Sequence, residues 1–254
     1  MEDLITIQES YTLPSNGLIY DKKFNPTITL RSMTTEEEMR RLSRSESEYK
    51  TMASIIDSCI VEKLPISVYD MCIGDYQFLL HKIRVVTYGS NYKLLIQCPH
   101  CGELSNSSVD LDTLEVLSLT EETLEDLHRE ITLPVSKRKI TLSFQTPRML
   151  DNVKERAKEQ KKKTKLTNVN FEILFTAMSL IGKVDGLEMD DIRLEQLVRK
   201  LPLKDLYYII QEGDKLNRKV GLDTSVVVTC ENCGLEVQDQ FRIQPNFFGP
   251  EVLG

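Results

Sequence analysis

The sequence predicts an α+β fold, with a helical body closed by two distant β-hairpin knuckles and preceded by an extended N-terminal arm. Three observations carry this expectation. Two CxxCG motifs, Cys98-Pro99-His100-Cys101-Gly102 and Cys230-Glu231-Asn232-Cys233-Gly234, have 128 residues between the last cysteine of one and the first of the other. Each follows an apolar triplet at the same offset, Leu94-Leu95-Ile96 or Val226-Val227-Val228, and each precedes alternating apolar positions, Val109 and Leu111 or Phe241 and Ile243. Elsewhere, apolar residues recur at the three-to-four-residue spacing of helices.

Paired CxxC motifs point to a four-thiolate metal site. The two intervening residues let both sulfurs of a knuckle converge on one ion. The glycine that follows permits a positive φ, which turns backbone N–H groups toward the sulfurs. Both units read as strand, metal turn, strand, over residues 92–111 and 225–243. They form one hairpin used twice, a split zinc ribbon with Cys98, Cys101, Cys230 and Cys233 as ligands. One structural zinc ion is expected, with iron as the alternative occupant. An ion gripping both halves closes a loop whose covalent equivalent stabilises by about 4–5 kcal/mol.

The elements follow in order. Residues 1–33 read as an extended β arm: Leu4 to Ile7, a second short strand, a turn at Pro14-Ser15-Asn16-Gly17, and Thr27 to Leu30 with Ile28 and Leu30 on one face. A helical domain spans 34–254. Thr35 with Glu38 makes a capping box, and Met39, Leu42, Tyr49, Met52, Ile56, Ile60 and Leu64 mark one face of a long helix that Pro65 ends. A second helix runs from Asp75 to Val86, with Tyr76, Leu79, Leu80, Ile83 and Val86 inward and His81, Lys82 and Arg84 outward; Gly89 stops it.

Past the first knuckle, Thr120 to Arg129 reads as a helix, and Ile131–Leu133 with Lys139–Phe144 as a hairpin. Thr146-Pro147 opens a charged helix. Phe171, Leu174, Phe175, Met178 and Ile181 make an apolar helix reaching Gly182, and Asp185-Gly186 is a turn. Asp190 and Asp191 start another helix, Pro202 to Asn217 forms the last, and Gly221 precedes the second knuckle. Residues 244–254 form an apolar tail.

Composition narrows the function. The 254 residues are 41% hydrophobic and 28% charged, which suits a soluble protein with a sizeable core. No apolar run reaches the roughly 20 residues of a membrane helix, and the acidic start MEDLITIQES is unlike a secretory signal. A cytosolic setting is expected, which keeps metal-binding thiols reduced. The net charge of −7, about −9 with four thiolates on Zn²⁺, argues against nucleic acid as partner. The basic run KERAKEQKKKTK, Lys154 to Lys165, reads as a solvated helix and has no aromatic residue for base stacking. Cys59 and Cys72 read as small buried hydrophobes. The histidines are His81, His100 and His128, and no phosphate loop, dinucleotide fingerprint or hydrolase motif occurs.

Several segments occur here in a telling order: LPSNGLIY, TITLRSMTTEEE, IRVVTYGSNYKLLIQCPHCGE, VVVTCENCG and the terminal PNFFGP. Together they resemble the T4-type baseplate hub family of contractile-tailed bacteriophages, from Leu13 to Pro250; the stretch from Asp112 to Gly221 is similar only in length and helical character. The resemblance implies a structural or assembly role in the tail baseplate hub, through contacts with other baseplate proteins and without enzymatic activity. It implies a place in the host cytoplasm during assembly, and in the virion if the protein is retained. The family's knuckle cysteines fall on Cys98, Cys101, Cys230 and Cys233. The second knuckle has Glu231 where the first has Pro99.

For such a role the terminal segments are the expected contacts. The N-terminal arm can pair with a partner's sheet edge, and Phe247 and Phe248 can anchor in a neighbour's pocket, unless they fold back on their own core. Two other functions compete. A nucleic-acid-binding zinc ribbon needs basic tips, yet these carry Glu103, Glu231 and Glu236. A CxxC redox enzyme needs its motif at a helix N-terminus, and here both motifs lead into strands.

Overall fold

A computed structural model describes residues 7–43, 45, 47–125, 127, 129–166, 169–240 and 245–248. In chain order the strands and helices are β1 Gln8–Thr12, β2 Thr27–Arg31, α1 Thr35–Leu42, α2 Glu48–Cys59, α3 Ile73–Tyr88, β3 Asn91–Gln97 and β4 Leu104–Asp110. Then come β5 Val116–Leu117, α4 Glu121–Glu125, β6 Glu130–Thr132, β7 Lys139–Leu142, α5 Pro147–Thr164 and α6 Glu172–Leu180. The series ends with β8 Ile181–Val184, α7 Asp191–Lys200, α8 Leu203–Asn217, β9 Gly221–Leu222, β10 Ser225–Thr229 and β11 Glu236–Gln240. The fold mixes helices with small antiparallel sheets: β1-β2, β3-β4, β10-β11, β5-β9 and β6-β7-β8.

Two large cores organise these elements, with a small third cluster of Cys72, Leu119 and Val220. One gathers Leu13, Ile28 and Leu30 from the N-terminal hairpin with Ile56, Leu79, Ile83, Tyr92, Ile96, Val226 and Val228. The other lies among α5 to α8 and the three-stranded sheet, around Ile140, Leu142, Phe175, Leu180, Val198 and Ile209. Where the sequence reads as an extended arm, β1 and β2 pair and Ile28 and Leu30 are buried on the first core. The expected strand at Leu4 to Ile7 lies mostly outside the described residues; β1 begins at Gln8.

The LPSNG turn joins the first core to the small third cluster. The N–H of Ser15 donates to Asp75 Oδ1 at 2.9 Å, and Tyr20 donates its hydroxyl to Asp75 Oδ2 at 2.6 Å. Burial pushes the Asp75 carboxyl up, and the hydroxyls of Ser15 and Tyr20 pull it back. Asn16 donates to the Leu119 carbonyl at 2.6 Å, and the N–H of Leu119 donates to the Pro14 carbonyl at 2.8 Å. Asn16 and Gly17 both have positive φ, 50° and 72°, which is why this turn needs that pair. Beside it, Gly74 packs so closely on the carbonyl of Val220 that a Cβ would lie 2.1 Å from its oxygen.

Several expectations are corrected. The capping box uses Thr34 and Glu37, one residue earlier than expected, with the N–H of Thr34 donating to Glu37 Oε2 at 2.7 Å. Either threonine suits the pattern; Glu37 is chosen because Arg31 bonds it at 2.7 Å. The long helix is two, α1 and α2. Ser43 caps the end of the first, and the side chain of Ser47 accepts the N–H of Lys50 at the start of the second. Met39 and Leu42 are consequently exposed.

The outward face of α3 is also buried: His81, Lys82 and Arg84 are 2%, 9% and 1% exposed. Residues on that side pair with them, since Arg84 donates to the carbonyls of Gly89 and Asn91 and Lys82 reaches Asp112 at 2.6 Å. The helix expected at 120–129 is only the short α4, and His128 lies outside the described residues. The apolar helix ends at Leu180, and Ile181 begins β8, the third strand of the 130–142 hairpin. Asp185-Gly186 is a turn, with φ of 50° and 81°. Thr146, Asp190 and Gly89 act as the sequence reads them.

Two outcomes follow. Gly74→Ala should lower unfolding free energy by about 2–3 kcal/mol, because the methyl meets backbone rather than a movable side chain; urea titration reads it. The Arg31 guanidinium holds the Glu37 carboxyl down at about 2, against its usual 4.5. Its stabilisation is therefore complete above pH 4.5 and fades as pH falls toward 2. Glu37→Gln should remove that slope, about 2 kcal/mol after discounting for the partly exposed arginine, in urea midpoints at pH 6 and pH 3.

Candidate metal centre

The site is assembled from two knuckles with one backbone plan. In the first, Gly102 has φ 78° and donates to the Cys98 carbonyl at 2.9 Å, while the N–H of Cys98 donates to the Glu103 carbonyl at 3.0 Å. In the second, Gly234 has φ 72° and donates to the Cys230 carbonyl at 2.8 Å, while the N–H of Cys230 donates to the Leu235 carbonyl at 3.0 Å. The strands set the sulfurs. Each hairpin is antiparallel, with Gln97 opposite Leu104 and Thr229 opposite Glu236 at the turn.

The knuckles dock on each other. The N–H of Glu231 donates to the buried Ser105 hydroxyl at 2.8 Å, and Asn232 donates to the Leu104 carbonyl at 3.1 Å. The His100 ring lies 3.3 Å from the Glu236 carbonyl, as an exposed turn residue, and completes this contact. Sequence reasoning did not single out Ser105, whose only sequence signal is a polar residue just after a knuckle.

This docking brings together all four cysteines expected from the sequence. Cys98 Sγ lies 3.7 Å from Cys233 Sγ, Cys101 Sγ lies 3.8 Å from Cys230 Sγ, and all four sulfurs fall within 4.8 Å of one another. Cys98 and Cys230 are buried, whereas Cys101 and Cys233 reach the surface. A tetrahedral ion about 2.3 Å from each sulfur separates the sulfurs by about 3.8 Å, so the cluster fits such an ion. It is too wide for disulfides, whose sulfurs lie about 2.05 Å apart.

Electrostatics point the same way. The N–H groups of Cys233 and Asn232 pull the Cys230 thiol down. At Cys101 the N–H of Glu103 also pulls down, but desolvation and the three neighbouring sulfurs outweigh it and push that thiol up. Four thiolates at this spacing repel one another unless a cation sits among them. The four could therefore hold one metal ion, which would release their protons on binding.

The other singled-out residues lie elsewhere. Phe247 and Phe248 are 0% and 5% exposed and pack in this chain's own first core, the fold-back alternative to a partner contact. Phe247 packs edge-on to His81 and tilted against Tyr92, at ring-centre distances of 5.1 and 5.5 Å, which satisfies its apolar surface internally. Cys59 and Cys72 are buried. Phe241 and Ile243, along with most of the 244–254 tail, lie outside the described residues.

Purified protein should carry one divalent ion per chain, and Cys98→Ser or Cys230→Ser should abolish stoichiometric binding. Chelation should lower the melting midpoint by on the order of 10–20 °C, from loss of the loop closure. An unchanged midpoint after complete metal removal would exclude a bracing role.

Searches of curated proteins and of solved structures each return no match. A family model described as T4 bacteriophage base plate protein matches residues 6–249, nearly the whole chain and both knuckles. The chain therefore belongs to the T4 bacteriophage base plate protein family.

Proposed function

We propose that the protein is a structural or assembly component of a contractile phage tail baseplate hub, acting through protein–protein contacts around one structural zinc ion. The observation that carries this reading is the family match over residues 6–249, which includes the four-cysteine cluster. Membership implies association with other phage baseplate proteins. Zinc suits an all-sulfur tetrahedral cluster that braces a fold, with iron the alternative occupant of the same ligand set.

A non-enzymatic role fits the side chains that might otherwise do chemistry. Burial holds the His81 ring down at about 4, so it stays neutral in a cell. Burial pushes the thiols of Cys59 and Cys72 up to about 11 and about 12, far from a nucleophilic thiolate. The exposed knuckle residues Glu103, Glu231 and Glu236 disfavour phosphate, so nucleic acid is not the proposed partner. Among the described residues, no helix is long and apolar enough to cross a membrane.

Tagged protein expressed during infection should co-purify with baseplate intermediates in the host cytoplasm or with finished tails. Which of the two retains it distinguishes an assembly factor from a hub subunit. Recovery with neither would overturn the proposal. A low-salt gel shift should show no retardation of duplex DNA by the metal-loaded chain.

A further inference from the structure

The two knuckle hairpins meet across open strand edges. Each is a two-stranded sheet, β3-β4 or β10-β11, and among the described residues no ladder joins β4 to β10. In an antiparallel pair, every second residue turns its N–H and C=O away from the partner strand. The N–H of Leu111 donates to Ser90 and that of Cys98 to Glu103, so the odd-numbered residues of β4 bond β3 and Ser108 faces away. The N–H of Cys230 donates to Leu235, so Val226 and Val228 bond β11 and Val227 faces away. Asn232 donates to the outward carbonyl of Leu104, which sets the two open edges toward each other.

The gap between these edges is closed at both ends. The Asn232–Leu104 and Glu231–Ser105 bonds close it beside the cysteines, and at the far end the N–H of Asp223 donates to the Glu115 carbonyl at 2.8 Å. Between them lies a cavity of about 330 Å³. Its floor is apolar, made by Val109, Leu114 and Val226, and its rim carries Asp110, Glu115 and Asp223. The Ser90 hydroxyl and the N–H of Ser225 hold the Asp110 and Asp223 carboxyls below their usual range, so both stay ionised. The charge extends past the rim: residues 91–125 and 221–240 carry eleven Asp and Glu against one lysine, Lys93.

An open edge accepts another strand through main-chain bonds. Such a strand points alternate side chains to opposite faces. Along this gap, one set would rest on the valine and leucine floor and the other would stand beside Asp110, on the exposed face. Cations at those outer positions match the field of the rim. We propose that the gap between β4 and β10 docks an extended basic segment of another baseplate protein, in which apolar side chains alternate with lysine or arginine. The inference rests on the reading that the chain acts through baseplate contacts, and it gives one of those contacts a place and a chemistry.

Calorimetric titration of the full chain with a short blocked peptide of alternating lysine and valine tests this, beside the same peptide with proline at its centre. The alternating peptide should bind about tenfold tighter than the proline peptide, which keeps the charge and loses main-chain bonding. It should slow amide exchange at Ser108 and Val227, and E115Q/D223N should weaken it about fivefold. Equal binding of both peptides, no binding, or slowed exchange only outside the two hairpins would overturn the proposal. A dimer of the chain that E115Q/D223N dissolves would assign the gap to a second copy and overturn it too. Recovery with baseplates of a chain whose gap takes no such peptide overturns this inference alone, whereas loss of that recovery overturns the functional reading.

Discussion

Four sulfurs within 4.8 Å of one another are an arrangement that like charges resist and a divalent cation rewards. The rest of the molecule is arranged around that constraint. The strands of both hairpins, the positive φ of Gly102 and Gly234, and the inter-knuckle bond to Ser105 all bring the sulfurs within coordinating distance. The consequence is topological as much as local. Residues separated by about half of the chain's length meet at one point, and an ion held there would confine everything between them to a closed loop.

That loop contains a core of its own. The helices α5 to α8 and the β6-β7-β8 sheet pack around Leu180 and Ile209, while the hairpins pack with α2, α3 and the N-terminal segment. The first core meets the small cluster of Cys72, Leu119 and Val220 where the LPSNG turn and Asp75 converge, and it meets the second core at the α2–α5 contact. At that contact Asp151 accepts the Tyr69 hydroxyl at 3.0 Å and the N–H of Lys50 at 3.2 Å. Directional hydrogen bonds of this kind fix a unique orientation between apolar surfaces that would otherwise slide. The segments that make the family resemblance, LPSNGLIY, MTTEEE and PNFF, thus serve internal packing in this structure, through Ser15, Glu37 and Phe247.

What was legible in the sequence was what local chemistry decides. Cysteine spacing and glycine placement give both knuckles, and Thr146-Pro147, Asp190 and Gly89 mark helix ends through their own backbone bonds. What was not legible depends on distant partners. Periodicity runs through Ser43 and Ser47 as if one helix continued, because the capping of Ser47 with Asp151 is a tertiary contact. The polar residues of α3 read as solvent-facing, because nothing local shows that Phe247 will lie on His81. Ile181 fits a helical stripe equally well as a strand, and only its pairing with Leu142 decides.

X-ray absorption at the metal edge of the purified chain tests the central claim most directly. The account predicts a single shell of four sulfurs at about 2.3 Å around one ion per chain. A shell containing nitrogen or oxygen, or an ion shared between two chains, would contradict it.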